Sequence, residues 1–284
     1  MWQAVNLVSN INRVLFESSF FKRLTFLSKF TRLSHAISTM ILDRTTFSRA
    51  LGEFAATALL MIVGCMGVAM TFPEETGFLV GSLQYGLTVG IVVHVFGCVS
   101  GAHTNPSVSI SCCILGHIAV DMMLVYVACQ LAGGLAGYYF LMAMLPKDVT
   151  EQNYPAVCLQ DPMADLSDYQ ILAVEFTLTS VLVLGWCAQW DVRNGGCLDS
   201  APIRMGLLVT ACGFAGNQLT GASMNPAKTL IPLLFHDYRG IFYPQLGGQT
   251  LAAVLVPFIW RCALTSNAKP MKTTSRRPKR TRPY

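Results

Sequence analysis

Long apolar runs separated by short polar breaks dominate the chain. Six stand out, at residues 51–70, 78–98, 118–145, 169–190, 202–219 and 241–260. Each approaches the roughly 20 residues that a helix needs to cross the hydrocarbon core of a bilayer. The fifth, PIRMGLLVTACGFAGNQL, is the weakest, because Gly, Asn and Gln dilute it. The pattern predicts an all-α polytopic membrane protein with six transmembrane helices.

Two further apolar pieces are too short to cross. NPSVSISCCIL begins at Asn105 and NPAKTLIPLLF at Asn225. As helix, each is roughly 16 Å long, about half the core. Asn is a favoured N-cap, and Pro suits the first helical position because its missing N–H would be unpaired there anyway. Each Asn-Pro is therefore predicted to open a half-helix, and Pro232 to help end the second by removing a backbone donor.

The half-helices belong to a repeat. Asn105 and Asn225 are 120 residues apart; Glu53 lies 52 residues before the first and Glu175 lies 50 before the second. Each half, about 49–145 and 168–264, holds three spans. With an odd number of spans per half, the second copy inserts upside down relative to the first, an arrangement that places transport sites near the bilayer midplane. The half-helices then meet N-terminus to N-terminus, with the two asparagines adjacent. The incoming SGAH and TGAS segments are extended backbone at membrane depth, tolerated where they are buried or line an aqueous cavity. The expected result is a pore. Its midpoint carries two positive helix ends and two amides, which hydrogen-bond a passing oxygen and repel cations, protons included.

Composition agrees with this reading and charge orients it. Only 12% of residues are charged and 53% are hydrophobic, against roughly 25% charged in ordinary globular domains. Before the first span lie seven Lys and Arg, from Arg13 to Arg49, against Glu17 and Asp43. The tail after Trp260 is basic with no acid, whereas Asp148, Glu151, Asp161, Asp165 and Asp168 crowd the loop between spans three and four. Both termini are expected in the cytoplasm and that loop outside. Residues 1–48 read as a basic cytoplasmic arm; their acids argue against a transit peptide, and no cleavable signal sequence is evident. Residues 265–284 read as a basic cytoplasmic tail that anchors the topology near lipid headgroups. Membrane lipid, not nucleic acid, is the expected partner of this charge.

Most of the ten cysteines fall inside predicted spans, Cys65, Cys98, Cys129, Cys187, Cys212 and Cys262 among them. They are expected to act as small apolar side chains. No CxxC pair with a neighbouring His suggests zinc, so neither metal nor cofactor is implied. With no nucleophile and base at matching depth, no enzyme is expected.

GEFAAT, SGAHTNPSV, EFTLT and TGASMNPAK, with the spacing among them over residues 50–262, together resemble the aquaporin or major intrinsic protein family. The resemblance implies six spans plus two half-helices, one pore per subunit and a homotetramer; the expected location is the plasma membrane, with an internal membrane as the alternative. It matches Asn105 and Asn225 to the paired pore asparagines, with Ser107 where Ala is usual. It matches Tyr85, Gly213, Ala222 and Lys228 to the selectivity filter, and Gly101, Ala102, His103, Gly221, Ala222 and Ser223 to the stretches whose carbonyls form a ladder for the solute.

Two departures bear on the solute. Gly213 stands where strict water channels have His, which opens volume for glycerol or urea and is similar to the glycerol-conducting branches, including insect ones. Lys228 stands where nearly all members have Arg, exchanging a rigid five-donor fork for a flexible, strongly hydrated point charge. The expected function is thus a passive channel for water and small polyols or urea through a widened filter. The alternative is an adhesion, junction or signalling scaffold on the same fold with little transport; an ion-coupled carrier is disfavoured because the midpoint holds only amides.

The remaining polar residues have structural readings. Glu53 and Glu175 are costly in lipid unless paired and are expected to accept hydrogen bonds from the half-helix loops. Asp121 and Arg204 are expected to snorkel and His94 to pack within its span. His103 has a gating alternative through protonation. The glycine pairs 86/90 and 133/137 are expected at close helix contacts.

Overall fold

The computed structural model describes residues 43–69, 77–152, 157–158, 166–235 and 242–265. The expectations for the arm up to residue 42 and for the tail beyond 265 fall outside the described residues. The chain divides into Met1–Phe47 and Ser48–Tyr284. Of the first unit only residues 43–47 are described; there Asp43 accepts the Thr46 N–H at 3.0 Å, as a helix-capping carboxylate does.

Nine α-helices follow among the described residues, besides 3-10 helices at Val192–Ser200 and Pro232–Leu234: α1 Arg44–Ala69, α2 Gly77–Ser100, α3 Pro106–Ile114, α4 Val120–Met144, α5 Lys147–Gln152, α6 Asp168–Trp190, α7 Ala201–Thr220, α8 Pro226–Leu230 and α9 Phe242–Leu264. Strands are absent from the described residues. All six predicted spans are helical, and α3 and α8 are the two half-helices. Five helices are long and apolar enough to cross a membrane. The exception is α7, whose buried face carries Thr210, Asn217 and Thr220. Those polar groups lower its hydropathy because they serve the interior and not the lipid. α1 widens into a π turn at Leu60–Gly64 and α9 does so at Trp260–Leu264.

The half-helices are built as their sequences predict. Asn105 and Asn225 are extended N-caps, each followed by Pro at the first helical position. α8 ends at Leu230, and Pro232 begins a tighter turn through Leu234.

The two halves interlock. α2 of the first packs along α7 of the second, and α6 packs along α9, more extensively than any other helix pairs. Glycine permits the first crossing: a Cβ on Gly86 would stand 2.6 Å from the Gly206 carbonyl oxygen, and one on Gly206 would stand 2.8 Å from the Gly86 oxygen. Gly133 and Gly137 of α4 likewise lie against the backbone of α1 at Phe54 and Ala58. At one end of the second half, Arg193 bonds Asp191 in a fork and reaches the Leu264 carbonyl at 3.0 Å, joining the ends of α6 and α9. The Arg193 guanidinium holds the Asp191 carboxyl below its ordinary range.

Ile91, Leu207, Leu251 and Phe258 face outward, as a lipid-facing surface requires. His94 departs from expectation: it is exposed on the outer face of α2, beside Ile91 and Val95, and does not pack inside. Arg204 does more than snorkel, since its guanidinium donates to the Gln189 side chain at 2.8 Å.

Candidate pore

The two Asn-Pro corners form one hydrogen-bonded unit. Asn105 Oδ1 accepts from Ser107 N at 2.9 Å, and Asn225 Oδ1 accepts from Ala227 N at 3.0 Å. Each Nδ2 crosses to the opposite repeat, Asn105 to the Met224 carbonyl and Asn225 to the Thr104 carbonyl, both at 2.9 Å. An amide carries two hydrogens. One is used in this exchange, which leaves the other of each pair for a solute oxygen.

The segments leading into the corners are bent by left-handed residues at matching positions. Gly101, Ala102 and Thr104 have φ of 92°, 50° and 50°; Gly221, Ala222 and Met224 have 77°, 43° and 51°. Each non-glycine residue in this region costs about 1–2 kcal/mol, so something must hold the chain there. Two buried carboxylates do. Glu53 accepts from Ser100 Oγ (2.6 Å), His103 N (2.9 Å), Thr104 N (2.8 Å) and Gln130 Nε2 (2.7 Å). Glu175 accepts from Thr220 Oγ1 (2.8 Å), Ser223 N (2.9 Å), Met224 N (2.9 Å) and Gln249 Nε2 (3.0 Å). Both are fully buried, and every acceptor direction faces a donor, which is the condition for burying an anionic group.

Among the described residues no donor claims the carbonyls of Gly101, Ala102, Ala222 and Ser223. The other two ladder carbonyls each have a partner: Thr104 Oγ1 donates to His103 O at 2.8 Å and Lys228 Nζ to Gly221 O at 3.2 Å.

Two adjoining narrow cavities follow this backbone, with room of about 20 and 30 Å³ for the centres of water-sized molecules. Tyr85, Val209 and Met224 border both. The first contains all four sequence-predicted filter residues, Tyr85, Gly213, Ala222 and Lys228. The second runs past Asn105, Asn225 and His103 to Trp186. Lys228 is 7% exposed, and its ammonium lies 4.8 Å from the Tyr85 ring centre, within cation–π range. Filter cation and filter aromatic therefore hold each other.

Three features were not foreseen. Cys65 is not a simple apolar side chain: it forms a disulfide with Cys158, across a Cα–Cα distance of 5.0 Å. The end of α1 is thereby tied to the loop between α4 and α6, and Cys158 becomes part of the first cavity's wall. Tyr138 holds the same loop through the Val157 carbonyl at 3.0 Å. The usable signal was the position of Cys158 in the acidic outer loop. Secondly, the space beside Gly213 is occupied: a Cβ there would stand 2.7 Å from Ser82 Cβ. The glycine thus draws α2 toward α7 as well as omitting a side chain. Thirdly, His103, bonded to Ser109 Oγ at 3.1 Å, sits in an aromatic cluster with Tyr126, Trp186 and Trp190. The spacing of the two tryptophans, four apart on one helix, was the only sequence trace of that cluster.

The family model for major intrinsic proteins matches residues 41–266. The chain belongs to the major intrinsic protein family. It is 33% identical over 218 residues to Aquaporin-2 of Rattus norvegicus, covering 75% of this chain and 79% of that protein. It is 29% identical over 213 residues to Aquaporin-8 of Mus musculus, covering 74% and 79%. Its fold is similar to the X-ray structure of the aquaglyceroporin from Plasmodium falciparum, with a TM-score of 0.69, 21% identity and coverage of 77% of this chain and 97% of that one. As a major intrinsic protein it is a multi-pass membrane protein and a channel for water and small solutes, not an enzyme.

Proposed function

We propose that the channel passes water, glycerol and urea passively between Asn105 and Asn225. The observation that carries this reading is the wall beside Tyr85 and Lys228: at Gly213 the cavity meets the small Ser82 side chain in place of an imidazole, and Ala222 adds only a methyl group. A polyol then meets backbone carbonyls, two asparagine amides and one ammonium along its path, with Tyr85, Val209 and Met224 beside its carbon skeleton. Lys228 keeps a positive charge at the filter, which opposes cations.

The assembly is a homotetramer in the plasma membrane with both termini cytoplasmic. Family membership supports the tetramer. The Cys65–Cys158 bond supports the orientation, because disulfides persist in oxidising compartments and this one includes the acidic loop. Stopped-flow light scattering on proteoliposomes under water, glycerol and urea gradients tests the solute range. Glycerol and urea entry well above protein-free vesicles is expected; water flux alone contradicts the widened filter. No flux from folded protein favours the scaffold reading instead.

A further inference from the structure

Beside Gly213 the first cavity holds a polar pair that no spacing in the sequence reveals. Ser82 of α2 and Asn217 of α7 lie 135 residues apart, are 5% and 7% exposed, and both line the cavity. Asn217 Nδ2 donates to Ser82 Oγ at 3.0 Å and to the Phe78 carbonyl at 3.4 Å. A carbonyl only accepts, so the Phe78 contact fixes which end of the amide points at Ser82. These two bonds use both amide hydrogens. What remains is one donor, the Ser82 hydroxyl hydrogen, and one acceptor, Asn217 Oδ1. Neither has another partner among the described residues.

Gly213 is what brings this pair to the wall. A side chain there would begin 2.7 Å from Ser82 Cβ and 2.9 Å from its Oγ, displacing the hydroxyl. The same cavity offers Tyr85 and Val209 as apolar surface. A small solute with neighbouring hydroxyls on a short hydrocarbon chain satisfies both kinds of surface. One hydroxyl accepts from Ser82, the next donates to Asn217 Oδ1, and the C–H edge lies on the ring.

We infer that Ser82 and Asn217 are the hydroxyl-reading residues of the filter, and that the solutes they select are small vicinal polyols. This rests on the proposal that the channel passes polyols, and deepens it. The test uses full-length protein in proteoliposomes and needs no variant for its first arm: propane-1,2-diol and propane-1,3-diol are compared after subtraction of protein-free vesicles. Faster entry of the 1,2-isomer is expected; equal rates, or faster 1,3-isomer, overturn the assignment. In the second arm Ser82→Ala and the near-isosteric Ser82→Cys are expected to lower the ratio of glycerol to water permeability by about fivefold to tenfold, the scale of one lost solute hydrogen bond. An unchanged or higher ratio in both means that Ser82 only occupies space, and overturns the inference alone. Absence of any polyol flux in the unmodified protein overturns the proposed solute range and the inference with it.

Discussion

At the scale of single residues, the strongest constraints are the two buried glutamates. Glu175 receives four donors, two of them backbone N–H groups from the left-handed stretch before Asn225. A glutamine there turns two of its own hydrogens toward donors. Glu175→Gln is expected to destabilise the protein by about 3 kcal/mol, the scale of leaving buried donors unpaired, and to reduce all solute fluxes together. Thermal unfolding in detergent checks it; a melting temperature equal to that of the parent protein contradicts the role. Lys228 makes a different prediction. Its ammonium sits between the Gly221 carbonyl and the Tyr85 ring, contacts that a point charge satisfies. Arg brings five donors in a rigid plane into the same buried place. Lys228→Arg is expected to shift the ratio of glycerol to water permeability, and an unchanged ratio removes Lys228 from the list of solute-selecting residues.

Between elements, the decisive contact is the crossing of α2 and α7. Gly86 and Gly206 place backbone against backbone, so Gly86→Val forces the helices apart. The expected cost is about 1–3 kcal/mol, typical of overpacking, together with lower flux, since both helices border the cavities. Size-exclusion chromatography and flux on the same preparation read the outcome; normal folding and normal flux contradict the close crossing. This scale also shows how much the sequence made legible. Apolar runs marked all six long helices, α7 most weakly because of its buried polar groups, and Asn-Pro chemistry marked both half-helices to within a residue of their starts, because caps and apolar runs are local properties. The pairing of Glu53 with Gln130, or of Ser82 with Asn217, is not local: the partners are 77 and 135 residues apart. That Ser82 packs against Gly213 is hidden from the sequence for the same reason, since only the placement of α2 brings it there. His94 was misplaced because α2 is apolar on nearly every side, so its sequence does not distinguish the inner face from the outer.

For the whole molecule, the Cys65–Cys158 bond ties the end of α1 to the loop between α4 and α6 across 93 residues of sequence, a closure that no helix packing supplies by itself. Reduction is expected to lower thermal stability by about 2–4 kcal/mol, the usual worth of a disulfide. It also frees the Cys158 side of the cavity wall. Peptide mapping without reductant is expected to recover the Cys65 and Cys158 peptides joined. Recovery of both as free thiols from freshly purified, thiol-blocked protein contradicts the closure.

The central claim is a pore that passes uncharged polyols while its amide midpoint and ammonium filter exclude cations. Proteoliposomes loaded with a pH-sensitive dye test both halves at once, in a stopped-flow run that follows light scattering under a glycerol gradient and dye fluorescence under a proton gradient. The account predicts glycerol entry well above protein-free vesicles, with proton entry no faster than in those vesicles. Protein-dependent proton entry, or glycerol entry no faster than through lipid alone, contradicts it.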